Sequence, residues 1–157
     1  MLKESISCQR TRVQNGTMAD PFDLERFVRA QENVYSEVVA QLSRGRKTSH
    51  WMWFIFPQLK GLGHSQMATF YGIGSRAEAE AYLQHPVLGP RLLQCTALMN
   101  AVEGKSVDEV LGYPDDLKFQ SSMTLFAEVG GESFSAALAK YFHGRTDSAT
   151  LKLLSRG

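Results

Sequence analysis

Apolar side chains recur along most of this chain at the three- and four-residue spacing of helices, and almost nowhere at the two-residue spacing of a half-buried strand. Leu24, Phe27, Val28, Tyr35, Val38, Val39 and Leu42 fall on one stripe. That stripe predicts a helix of about five turns, capped by Asp23 and closed at Gly45. Gln31 sits in the middle of it. A polar side chain there must find a buried partner or face a cavity.

Ser75 with Glu78, and Ser106 with Glu109, have capping-box spacing. They predict helices over RAEAEAYLQ and from Ser106 to Gly112. After Pro86, LGPRLLQCTALMNAVEG reads as a long helix closed by Gly104. Pro114 suits the first turn of a helix through DDLKFQSSMTLFAEV, stopped by Gly130 and Gly131. SFSAALAKYFHG and DSATLKLL complete the set. The expected fold class is mainly α, a compact single-domain bundle of about six to eight helices with little or no sheet.

Residues 45–65, GRKTSHWMWFIFPQLKGLGHS, break the pattern. Trp51, Trp53, Phe54 and Phe56 fit neither period, so this stretch is expected to be buried all round. We read it as a short helix in preference to an extended stretch, ended by Pro57. In a helix Trp51 and Trp53 stand roughly 200° apart, so one fills the core while the other turns toward a cleft.

Composition narrows the classes. The 157 residues suit one domain, and a 43% hydrophobic share with 21% charged residues supports a real core. Disordered and fibrous classes are thereby excluded. Seventeen basic against sixteen acidic residues leave a net charge of +1, which supplies no field for nucleic acid or an anionic membrane. Nucleic acid is not an expected partner. No stretch approaches the ~20 apolar residues of a spanning helix, and residues 1–17 lack a signal-peptide core, so a cytoplasmic protein is expected. Residues 1–17 read as a disordered polar tail ahead of a folded domain at 18–157, with Met18 an alternative start. Cys8 and Cys95 form no disulfide framework.

The stretches GRK-SHWMWFIFPQ-GLG-S, YLQHPVLGPRL and PDDLK-SSMTLF carry a resemblance. Together, from Asp20 to Leu154, they resemble the bacterial family called domain of unknown function 1810. Some of its members bear an automatic calpastatin label that nothing here supports. The resemblance implies a compact, mainly α-helical domain and no particular reaction. The polar signature that it implies falls on Gln31, on Gly45, Arg46 and Lys47, and on His50 and Gln58. It continues through Ser65, Tyr71, His85 with Pro86, Arg91, Asp116, Lys118, Ser122 and Thr124. Phe119 departs, standing where the family pattern implies an aliphatic residue.

No dinucleotide fingerprint, Walker loop, nucleophile elbow or zinc-protease motif occurs. His50, His64, His85 and His143 lack ligand spacing with one another or with the cysteines, so neither a metal nor a cofactor is expected. Cys95 lies within an apolar helix and reads as inert. Whether the chain is an enzyme does not follow from its residues. Aromatic walls with a few convergent polar groups are what ligand sites are made of. The candidates are Gln31, Arg46, Lys47, His50, Trp51, Gln58, Tyr71 and His85, with Asp116, Lys118 and Ser122. Lys118 and Ser122 share one helix face with Asp115, where they suit phosphate or carboxylate.

The leading expectation is a small-molecule site for a nucleotide or ADP-ribose-like ligand. Each candidate also has a structural reading: His50 as a core histidine, Arg46 and Lys47 as partners of a helix C-terminus, His85 as a turn residue, and Asp115 with Lys118 as a solvated pair. The alternative function is a protein-interaction or regulatory module without catalysis. An accessible cleft holding Lys47, His50 and Lys118 favours the ligand site; a solid core favours the module.

Overall fold

A computed structural model of the chain describes residues 19–156. The expected tail and Met18 lie outside these residues. Ten helices follow in order: α1 (Glu25–Glu32), α2 (Tyr35–Ser43), α3 (Met52–Ile55), α4 (Gln66–Phe70), α5 (Arg76–Gln84), α6 (Leu88–Ala101), α7 (Val107–Leu111), α8 (Asp115–Val129), α9 (Glu132–Phe142) and α10 (Ser148–Arg156). The fold is mainly α, as the periodicity implies. The number exceeds the expected six to eight for two reasons.

First, the long N-terminal stripe is two helices. The chain breaks at Asn33 and Val34, where the Val34 amide bonds back three residues to the Gln31 carbonyl at 3.1 Å. The stripe runs on across the break because both helices bury the same side. Asp23 is not its cap, since it adopts a left-handed backbone with φ of 53°. A turn through Pro21 instead brings Asp20 over the helix start, and its carboxylate accepts the amides of Leu24 and Glu25 at 2.8 and 3.0 Å. Second, α4 is a single turn after a glycine-rich stretch, with no long periodic run to announce it, whereas α3 is the short helix expected over the aromatic segment.

Of the expected capping boxes, the one opening α7 is complete. Ser75 caps α5 by accepting the Glu78 amide at 3.1 Å. The Glu78 carboxylate goes elsewhere, to Arg26 at 2.8 Å and to the Gly74 amide at 2.9 Å.

The core is organised about α8, where every residue from Ser121 to Phe126 is buried. Aromatic rings join the layers: Phe27 meets Tyr82 edge-on at 5.1 Å, Tyr82 meets Phe126 at 5.5 Å, and Phe56 meets Phe119 edge-on at 4.9 Å. Helices α5 and α6 approach so closely that a Cβ on Gly89 would lie 2.1 Å from the Leu83 carbonyl oxygen. Sheet is confined, among the described residues, to one isolated parallel bridge between Leu59 and Ile73. No described helix is long and apolar enough to cross a membrane.

Candidate functional site

The segment leading into α3 is held from below by Gln41, which is 1% exposed. Its Oε1 accepts the Thr48 amide and the Trp51 indole N–H, both at 2.8 Å, while its Nε2 donates to the Ser49 hydroxyl. Trp51 is thereby anchored in the core. The Lys47 amide donates to the Val110 carbonyl at 2.7 Å, which fastens the same loop to α7. From there the largely buried Lys47 side chain reaches Asp115 Oδ2 at 2.8 Å, with its Nζ 5.3 Å from the Trp51 ring.

Helix α3 turns Trp53 away from Trp51, so that Trp53 is only half-buried. Lys118, one turn into α8, holds its Nζ 4.9 Å from the Trp53 ring centre, within cation–π range. The same Nζ lies 3.6 Å from Asp115 Oδ1. One carboxylate therefore stands between two ammonium groups, closer to Lys47.

A small cleft opens beside this arrangement. Its walls are Met52, Trp53, Phe56, Gln58, Tyr71 and Lys118, with Ala68 and Gly72. The enclosed space is about 10 Å³, room for a single water-sized group. Gln58 and Tyr71 reach it together because the bridge ties their segments: the Ile73 amide donates to the Gln58 carbonyl at 2.9 Å and the Lys60 amide to the Ile73 carbonyl at 2.8 Å. Gly72 allows that approach, since a Cβ there would come within 2.7 Å of Lys60 Cα.

Of the candidates read from the sequence, Gln58, Tyr71 and Lys118 line the cleft, Lys47 is joined to Lys118 through Asp115, and the Trp51 ring lies against Lys47. The others do not line it. Gln31 is buried in the core, where Nε2 donates to the Phe54 carbonyl at 2.7 Å and meets the Tyr82 hydroxyl at 3.2 Å; Oε1 accepts from Arg91 at 3.3 Å. Arg46 and His50 are exposed. His85 Nδ1 accepts the amides of Val87 and Leu88 at 3.1 and 3.2 Å, capping the start of α6. Asp116 accepts the Leu117 amide at 2.9 Å. Ser122 is fully buried, and its hydroxyl finds no hydrogen-bond partner among the described residues.

Sequence reasoning passed over Gln41, Asp115's bridging role, and Arg26 with Glu78. Gln41 was within reach: it follows Val38 by three residues on the stripe that singled out Gln31. Arg26 gave no signal, and the capping-box spacing of Glu78 pointed to a local bond. Cys95 is buried, and burial pushes its thiol up to about 12, far from a reactive thiolate. No group of three His, Cys, Asp or Glu side chains gathers among the described residues as a metal would need.

A family profile described as Protein of unknown function (DUF1810) matches residues 21–154. Among solved structures, the crystal structure of the conserved hypothetical protein Rv1873 from Mycobacterium tuberculosis is similar at 58% identity, with a TM-score of 0.86. That likeness covers 87% of this chain and 99% of the other. No curated protein matches.

Proposed function

From a chain that belongs to this family of proteins of unknown function, we propose a module that binds a small polar molecule at the cleft between α3 and α8. One polar group of the ligand enters between Trp53, Gln58 and Lys118, and the remainder lies across the mouth. The observation that carries this reading is convergence. The aromatic segment, Tyr71 and the start of α8 are separate in sequence, yet each contributes a wall to one opening. The space limits the ligand. A nucleobase does not fit in about 10 Å³, so a nucleotide or ADP-ribose-like ligand is held by a phosphate oxygen, with base and ribose outside.

The test is a thermal-shift screen against nucleotides, dinucleotides, sugar phosphates and small acids and amides, followed by titration of the two tryptophan indole N–H resonances. A ligand at 100 times its Kd stabilises the folded chain by ~2.7 kcal/mol. Binding that moves the Trp53 resonance and leaves Trp51 in place supports the cleft. Binding that moves neither resonance overturns it.

A second reading, a protein-interaction module, is favoured by α4. Met67 and Phe70 are 39% and 53% exposed there, and Phe70 borders three shallow surface hollows. Exposed apolar groups of this kind mark docking surfaces. A Met67→Ser, Phe70→Ser double variant that keeps its fold but loses a partner recovered with the unaltered chain supports this reading; retention of every partner counts against it.

A further inference from the structure

Resting on the ligand-site reading, we infer that the group admitted to the cleft is an anion, a carboxylate or phosphate oxygen, which takes the place of Asp115 on Lys118. The two contacts of Asp115 are unequal. Its Oδ2 lies 2.8 Å from Lys47, the distance of a charge-assisted hydrogen bond, whereas its Oδ1 lies 3.6 Å from Lys118, beyond that range. Lys47 is also the more buried lysine, with its side chain 8% exposed against 25% for Lys118. Losing its carboxylate would leave a buried ammonium unpaired, which is costly. Asp115 therefore belongs to Lys47, and Lys118 is left partly unneutralised.

That remaining charge faces the opening. Lys118 lines the cleft, and among the described residues no carboxylate does. Asp116, next to Asp115 in α8, is turned to the Leu117 amide. The Trp53 ring beneath the ammonium offers its quadrupole but no countercharge. Two lysines on one carboxylate leave one positive charge at a half-enclosed position, where attraction to an anion is less screened than in open water. The enclosed space suits one oxygen atom. An entering cation meets repulsion from Lys118, and a neutral amide gains no charge term.

The experiment titrates the full chain with sodium phosphate, sodium acetate and acetamide at constant ionic strength set by sodium chloride, reading both indole N–H resonances. Phosphate or acetate is expected to move Trp53 saturably, with Trp51 still and acetamide without effect. Lys118→Gln is expected to weaken the anion by about tenfold or more, and Lys118→Arg to restore it, because a hydrogen bond to a charged group is worth that much. The restoring variant separates loss of charge from loss of fold. Acetamide binding as tightly as acetate, or a folded Lys118→Gln that still binds the anion, overturns the inference while leaving the cleft reading intact. If none of these three probes and no member of the screening panel moves Trp53, both fall.

Discussion

Arg26 and Glu78 meet at 2.8 Å inside the molecule, with both side chains more than nine-tenths buried. The other four N–H donors of Arg26 end on the carbonyls of Phe22, Asp23, Phe70 and Gly72. One guanidinium thus joins the chain before α1, the end of α4 and the start of α5, with every donor used. Its cost of burial is met only while Glu78 is in place. Glu78→Ala is expected to lower stability by ~3–5 kcal/mol, the usual result of stranding one partner of a buried pair. Urea unfolding measures it, and an unchanged midpoint would show that water reaches Arg26.

The two tryptophans separate packing from binding. Trp51→Ala removes a fully buried ring and a partner of Gln41, and is expected to cost ~3–5 kcal/mol. Trp53→Ala is expected to cost less than about half as much, since its ring is partly in water already, yet to abolish the ligand response. Losses that track unfolding equally in both variants would count against a binding role for Trp53.

His85 makes stability depend on pH in a defined direction. Burial holds its imidazole below the usual value of 6.5, against an opposing pull from Asp20 and Glu25. The neutral ring is the one that accepts two amides through Nδ1. A base whose folded pKa is depressed contributes stability that is fully present above the unfolded pKa and lost as pH falls through the lower folded value. The difference in unfolding midpoint between the unaltered chain and His85→Ala should therefore shrink as pH drops from 7 toward 5. A constant difference would mean that the cap does not titrate.

Cys95 is expected to resist thiol reagents in the native state. In a Cys8→Ser background, a colorimetric disulfide reagent should register no thiol at neutral pH until denaturant unfolds the chain, since a thiol near 12 carries almost no thiolate. Rapid native labelling would show that α6 opens locally.

Helix identity was readable where apolar spacing runs long, as in α6, α8 and α9, because three or four turns of period leave little ambiguity. The division of the first stripe was not readable, because a break between two helices that bury the same side does not disturb the stripe. The cleft was half readable. Gln58, Tyr71 and Lys118 came from the polar signature that the family resemblance implies, but the role of Asp115 depends on Lys47 arriving from another segment. Periodicity carries no information about such a meeting. Ser122 illustrates the reverse error. A shared helix face places it near Lys118, but the depth to which α8 is buried decides that its hydroxyl meets the core and not the opening.

The bridge between Leu59 and Ile73 has a kinetic consequence. It closes a loop of only thirteen intervening residues, a span whose closure entropy is modest compared with that of bringing Lys118 to Trp53 across more than sixty. The wall formed by Gln58 and Tyr71 can therefore assemble from local contacts, while the lysine arrives only when α8 docks. In native-state hydrogen exchange the amides of Lys60 and Ile73 then report the integrity of one wall independently of the other. An opening that releases α8 alone leaves those two amides protected while the cleft is dismantled.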